Sequence, residues 1–306
     1  MNWKGTIPTL IALIVFAALW GVVSSQDLFQ EKSDEKKEPP LFKGLKPEEI
    51  TTISMEEKGE IRWKLVRKDG KWSFKEPRPL PVDPQMVESW LRSFTELKGA
   101  EVVQKSSDDL QKYGLKQPQK IYRVTRKNGE KIELAVGDAL PVDNGRYIQK
   151  NGEGAILQIG TTDIGFLDKQ VLNLMKKEAI HVQKENIKAF SFQWKGTTLK
   201  GKEIEGEWKL EKGKKTYDPD KLDRFLTSLA SLQAKELAKR ADEWKQNKPQ
   251  LELTLTTDDG KKHLYFGVRE EDQVWIRKKE GEWAYPVAVS SLEDALKQAE
   301  KEEEDK

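Results

Sequence analysis

The chain has 306 residues, enough for two domains that each bury a core of ordinary size. Charged residues make up 35% of it, yet 54 Lys+Arg nearly balance 52 Asp+Glu and the signs are interleaved, which is a solvated surface and excludes a nucleic-acid footprint. With no cysteine there are no disulfides, thiolate metal sites, cysteine nucleophiles or lipoprotein-type lipidated cysteine.

Residues 5–26 carry no charge, lie between Lys4 and Asp27, and are nearly all apolar from 10 to 19. At 1.5 Å per residue, about 20 residues cross a hydrocarbon core of ~30 Å. Trp3 and Trp20 lie near the two ends, where indoles favour the interface, and Pro8 falls in the first turns, where a missing N–H costs least. The expectation is an N-terminal transmembrane helix, a membrane anchor over residues 1–26 with residues 6–25 in the lipid bilayer. A cleaved signal peptide leaving at Val22, Val23, Ser24 and Ser25 is the competing reading. Lys4 sits on a very short N-terminal flank, while Lys32, Lys36 and Lys37 argue mildly the other way. The expected placement is single-pass in the cell membrane, N-terminus cytoplasmic and bulk extracytoplasmic.

Residues 27–46 read as a charged flexible linker, with mixed charges over 31–38 followed by Pro39 and Pro40. The first module, residues 47–180, opens at Pro47, Glu48, Glu49 and Ile50. Ile61, Trp63 and Leu65 alternate with charged residues as in a half-buried strand; Asp69 and Gly70 supply a hairpin turn, and Trp72 and Phe74 begin the return strand. Asp83 and Pro84 are suited to cap and open a helix, in which Val87, Trp90, Leu91, Phe94 and Leu97 form one apolar stripe ended by Lys98 and Gly99. Tyr122 and Val124 lead through Asn128 and Gly129 to Ile132, Leu134, Val136 and Gly137. Arg146, Tyr147 and Ile148 continue the meander, Asn151 and Gly152 turn it, and Leu167, Val171, Leu172 and Met175 suggest a closing helix.

The second module, residues 181–297, repeats this order. Asp218, Pro219, Leu222, Phe225, Leu226, Leu229 and Leu232 each lie 135 positions after their counterparts from Asp83 to Leu97. Glu185, Asn186 and Ile187 echo Glu48, Glu49 and Ile50; Phe190, Phe192 and Trp194 alternate; Gly206, Trp208 and Leu210 match Gly70, Trp72 and Phe74. Pro249 and Gln250 echo Pro118 and Gln119, Asp259 and Gly260 replace Asn128 and Gly129, Gly267 corresponds to Gly137, and Val274, Trp275 and Ile276 stand for Arg146, Tyr147 and Ile148. Ordered matches with small indels at turns indicate a duplicated fold. The expected class is α+β: two modules, each a mainly antiparallel β-sheet packed by an amphipathic helix, with a charged tail over 298–306.

No residue set specifies a reaction. Gly196, Gly201, Lys202 and Glu203 nearly spell a phosphate loop, but Glu203 stands where a hydroxyl is needed and no helical pattern follows, so a polar turn is expected. His181 and His263 are too few for a histidine zinc site, and Asp83 and Asp218 read as helix caps. Trp63, Trp72, Trp90, Trp194, Trp208, Trp244, Trp275 and Trp283 read as core filling before a glycan-stacking surface. Catalytic, cofactor-binding and metal-ligating residues are therefore assigned as none, and no cofactor is expected.

Leu110, Tyr113, Gly114, Leu115 and Pro118, followed by a hairpin, Gly137 and Arg146, Tyr147, Ile148, resemble the repeating signature of a bacterial family known as domain of unknown function 4340. The N-terminal segment, the Trp72 strand and the Asp83 helix share the likeness, whereas the second module departs with Asp242, Glu243 and Trp244 in place of Tyr-Gly-Leu. The resemblance implies a membrane-anchored envelope protein, encoded in some members beside ABC-type transporter components, and brings no catalytic residues. The expected function is a non-enzymatic extracytoplasmic binding or scaffold protein of the bacterial cell envelope, with ABC transporter subunits or other envelope proteins as partners and no nucleic acid. The alternative is a glycan- or cell-wall-processing hydrolase with acids assembled at the domain interface.

Overall fold

The computed structural model describes residues 39–300, apart from 143, 212–216 and 245–247. The expected membrane anchor lies outside the described residues, as do 27–38 of the expected linker and 301–306 of the tail. Among the described residues no helix is long and apolar enough to cross a membrane.

The first module runs β1 (Ile50–Glu57), β2 (Glu60–Lys68), β3 (Lys71–Glu76), α1 (Pro84–Thr95), β4 (Glu101–Gln104), β5 (Lys120–Arg126), β6 (Lys131–Ala139), β7 (Gly145–Lys150), β8 (Ile156–Gly160), α2 (Thr161–Gly165) and α3 (Val171–Leu174). The second runs β9 (Ile187–Trp194), β10 (Thr197–Ile204), β11 (Glu207–Leu210), α4 (Leu222–Ala230), β12 (Lys239–Arg240), β13 (Leu251–Thr257), β14 (Lys262–Glu270), β15 (Gln273–Lys278), β16 (Trp283–Ala288) and α5 (Val289–Lys297). Each module is one eight-stranded antiparallel sheet, ordered β3-β2-β1-β5-β6-β7-β8-β4 and β11-β10-β9-β13-β14-β15-β16-β12. Adding eight to every strand of the first order reproduces the second, so the α+β duplication read from the sequence is present in the topology.

Tight turns follow the predicted dipeptides. Asp69 and Gly70 have φ of 50° and 77°, the left-handed pair that lets two antiparallel strands twist correctly across a two-residue loop, and Asn151 and Gly152, with 52° and 66°, open the longer β7–β8 connection. In α1 the Asp83 carboxylate accepts from Gln85 N and Met86 N, and Val87, Trp90, Leu91 and Phe94 turn inward, all fully buried. The helix ends at Thr95, short of the expected Lys98. Residues at the edge of the linker pack against this end: Leu41 N donates to Leu97 O, and Phe42 stacks on Phe94 at 4.7 Å. Phe42 and Leu45 are buried, so packing begins inside the segment whose charge density reads as a tether. At the other end Ala299 is buried, and its carbonyl accepts from Asp218 N as Leu174 O accepts from Asp83 N.

Four differences from the sequence pattern have clear causes. Ile61 is half exposed, because a bulge between Met55 and Glu56 shifts the end of β2 out of the alternating register. The strand Ile50–Glu57 precedes it and was hidden by its Thr, Ser and Glu residues. The closing helix is two short pieces, α2 and α3, since Met175 leaves the helix to bridge Val82. Gly267 is the counterpart of Val136, because these two face Ile276 and Ile148; Gly137 falls in a β6 bulge that β14 lacks. A one-residue slip moves a side chain to the opposite face of the sheet.

Core volume is redistributed between the copies. On neighbouring strands, Ile53 pairs with Leu65 in the first module, and Phe190 pairs with Gly201 in the second. A Cβ on Gly201 would lie 2.6 Å from the Phe190 ring, so the larger residue on one strand requires the empty place on the next. Trp63 and Trp90 fill the first core where Leu199 and Phe225 fill the second. On the outer face of each sheet a loop aromatic makes a satellite cluster: Tyr113 with Leu115, Ala135 and Tyr147, and Trp244 with Val268 and Trp275. The family-like signature is therefore a lid on the outer face, with the second module substituting one tryptophan for Tyr-Gly-Leu.

Candidate functional site

Three concave regions stand out among the described residues: two between the modules, one of them a cleft of about 800 Å³ lined by Arg78, Leu172, Glu236 and Trp275, and one inside the first module. The segment joining the modules is hydrogen-bonded to both. Lys176 N donates to Pro81 O on one side, while Ala179 N donates to Leu232 O and Ala234 N to Lys177 O on the other. Arg78 Nη2 donates to Ala238 O across the junction at 2.8 Å. The buried apolar cluster is continuous through Met175, Ala179, Ile180 and Leu232, so the modules share packing as well as hydrogen bonds.

Beside this joining segment lies an open cleft of about 980 Å³, walled by Asp83 and Gln85 of one module and Glu185, Thr227 and Ser231 of the other, with Glu178 and His181 on its floor. Glu178 Oε2 is buried with no hydrogen-bond partner among the described residues. The His181 ring meets Tyr285 edge-on at 5.5 Å; although the residue remains exposed at the cleft, desolvation of the ring, with Lys176 and Lys278 outweighing the nearby Glu178, lowers its pKa to about 4. A neutral imidazole is thus the form present at neutral pH. The Asp83 carboxylate is already engaged in capping α1.

The third region is a pocket of about 160 Å³ at the end of β5, β6 and β7, lined by Gln119, Lys120, Tyr122, Arg146, Ile164 and Asp168 among others. Lys120 Nζ contacts Asp168 at 2.5 Å and Glu57 at 3.7 Å, so its charge is answered. Arg146 Nη1 donates to Gln119 Oε1 and to the Gly137 carbonyl in the β6 bulge, both at 3.1 Å. Neither acceptor is charged, and no ion pair to Arg146 occurs among the described residues. Burial, then the Asp168 and Glu57 carboxylates, push the Tyr122 phenol well above its usual range, which keeps it a protonated donor.

The residues weighed from sequence are placed as follows. Asp83 caps α1, and Asp218 Oδ1 accepts from Asp220 N at the start of the second helical segment. Gly196 sits in the β9–β10 turn, and Gly201, Lys202 and Glu203 lie in β10, where Glu203 pairs with Lys188 at 2.9 Å; no helix follows. His263 lies 3.4 Å from Thr257 Oγ1, and burial lowers its pKa. His181 and His263 join no cluster of three metal-ligating side chains among the described residues. Trp63, Trp90 and Trp194 fill the core, Trp72, Trp208 and Trp283 pack against it half-buried, and Trp244 and Trp275 are buried in the outer-face cluster. Sequence reasoning passed over Lys120, Asp168 and Glu178. The signal for Lys120 was present, as a charge at a position where the duplicate has Leu251.

Among the described residues the paired α+β modules thus share two clefts, and the first module holds one polar pocket. A family model described as Domain of unknown function (DUF4340) matches residues 72–248, more than half of the chain. The chain belongs to that family. No curated protein and no solved structure matches it.

Proposed function

We propose that the protein is a membrane-tethered, non-enzymatic binding or scaffold protein of the bacterial cell envelope, accessory to an ABC-type transport complex, with its two modules extracytoplasmic. The observation that carries the binding role is the larger inter-module cleft. Its volume of about 980 Å³ is at the upper end for small-molecule sites, it is open, and both modules contribute walls. That shape suits a segment of a partner chain. The unanswered Glu178 oxygen at its floor asks for a donor, such as a lysine, an arginine or a backbone N–H of the partner. The uncharged stretch over residues 5–26 supports the tether, and the resemblance to envelope proteins encoded near transporter components supports the setting.

The test is affinity capture of the full chain from detergent-solubilised membranes, in wild type and in Glu178→Lys. The reading expects transporter or other envelope subunits with wild type and their depletion by at least about tenfold in the variant, a coupling typical of a buried charge facing a partner. Capture of the protein alone, or equal capture by both forms, would overturn it.

A further inference from the structure

The two copies of the fold differ sharply at one place. Ladder pairing makes Leu251 the counterpart of Lys120, Leu253 of Tyr122 and Val274 of Arg146. Trp194 likewise replaces Glu57, and the turn that carries Asp168 becomes a longer helix, α5, with Leu292 and Leu296 buried. Where the second module is dry apolar core, the first has opened a polar pocket. Converting core leucines to ionisable groups costs stability unless the groups are used, so the contrast points to a site.

Several independent features hold the pocket in shape. The β6 bulge turns the Gly137 carbonyl onto Arg146, and β14 has no bulge where Val274 stands. Bulges of this kind re-aim a side chain next to functional sites. The turn carrying Asp168 is pinned on both sides by tryptophans from the core: Trp90 Nε1 donates to Leu167 O at 3.0 Å, and Trp63 Nε1 to Lys169 O at 2.7 Å. Their counterparts, Leu199 and Phe225, have no N–H to give. The bulge, the arginine, the ion pair and both indoles occur together in one copy and are absent together from the other.

We propose that this pocket binds the carboxylate of a small monocarboxylic acid, with Arg146 as its principal ligand. The guanidinium is oriented by two neutral acceptors and has no ion pair among the described residues, and its planar fork matches a carboxylate. Lys120 is held by Asp168 and Glu57, so it orders the wall without competing for the ligand. The Asp168 charge beside the site disfavours a dianion such as phosphate or a dicarboxylate. A volume of about 160 Å³ equals about five water volumes, room for an acid of about four to six heavy atoms whose short tail lies against Val136 and Ile164.

Saturation-transfer difference NMR on the full chain in detergent micelles, with propanoate as the probe, tests this. Wild type should give a signal that acetate displaces and that propanamide and inorganic phosphate displace at least about tenfold less well. Arg146→Gln should lose the signal. Gly165→Leu should lose it too: Gly165 lines the pocket, and a Cβ there meets nothing within 4 Å, so the backbone accepts a side chain at the pocket wall. Unchanged thermal midpoints establish that both variants fold. No signal in wild type, retention in either folded variant, or equal displacement by propanamide or phosphate would overturn the proposal. None of these outcomes depends on capture of a partner in the cleft.

Discussion

Replacing a buried tryptophan by phenylalanine should have unequal consequences in the two modules, although the chemical change is identical. Trp90 and Trp194 are both essentially fully buried. The Trp90 indole donates to Leu167 O at 3.0 Å, whereas the Trp194 indole N–H is buried without a partner among the described residues. Trp90→Phe removes one hydrogen bond to Leu167 O, which keeps its bond from Lys169 N, costing about 0.5–1.5 kcal/mol. The unfilled space adds roughly 1 kcal/mol, for a total of about 1.5–2.5 kcal/mol. Trp194→Phe incurs a similar packing loss but relieves a donor that had paid for its desolvation without return, so the net cost should be about 1 kcal/mol or less. Urea denaturation followed by far-UV circular dichroism measures both, and the slope of the transition must stay constant for the comparison to hold. Equal destabilisation by the two substitutions would refute the reasoning, because it would mean that the indole N–H contributes nothing in either core. Against a total stability of about 5–15 kcal/mol, the expected difference is well resolved.

The exchange of volume between Phe190 and Gly201 predicts that Gly201→Leu, the first module's residue, overpacks by about 1–3 kcal/mol, and that adding Phe190→Ile restores most of the loss; additive effects in a thermal double-mutant cycle would contradict the pairing. Asp83→Ala should cost about 1 kcal/mol, since the carboxylate satisfies two helix N–H groups, and Asp218→Ala less, since it satisfies one; chemical denaturation should rank them in that order. With only two histidines in the chain, His181 can be assigned by His181→Gln in a proton NMR titration, and its midpoint should lie near pH 4. A folded value below the unfolded value of about 6.5 means that the unfolded state takes the proton first. The contribution of His181 is therefore intact above about pH 6.5 and is lost as pH falls towards 4, and His181→Gln should flatten that part of the stability profile; a midpoint above 6 would refute it.

Much of this architecture is legible in the amino-acid order because it depends on local rules. Asp before Pro opens a helix, Val87, Trp90, Leu91 and Phe94 recur at helical spacing, and Asp69-Gly70 or Asn151-Gly152 can take the left-handed turn that a hairpin needs. Two copies of those signals in one order are enough to imply a duplicated α+β fold. Strand register is different, because it is decided by partners distant in the chain. The β6 bulge, which separates Gly137 from its apparent twin Gly267, is visible only when Val136 and Gly267 are seen opposite Ile148 and Ile276.

The pocket belongs to the same category. Lys120, Arg146 and Asp168 look like three of many surface charges in a chain that is 35% charged, and nothing in their spacing unites them. They meet because antiparallel pairing sets Lys120 at the end of β5 and Arg146 on β7, while indoles from β2 and α1 draw the Asp168 turn over them. Periodicity and turn chemistry, being short-range, determined the modules; the placement of charge within one module, and the clefts between the two, arose from contacts whose free energy depends on separations of tens of residues and exists only once both sheets have closed.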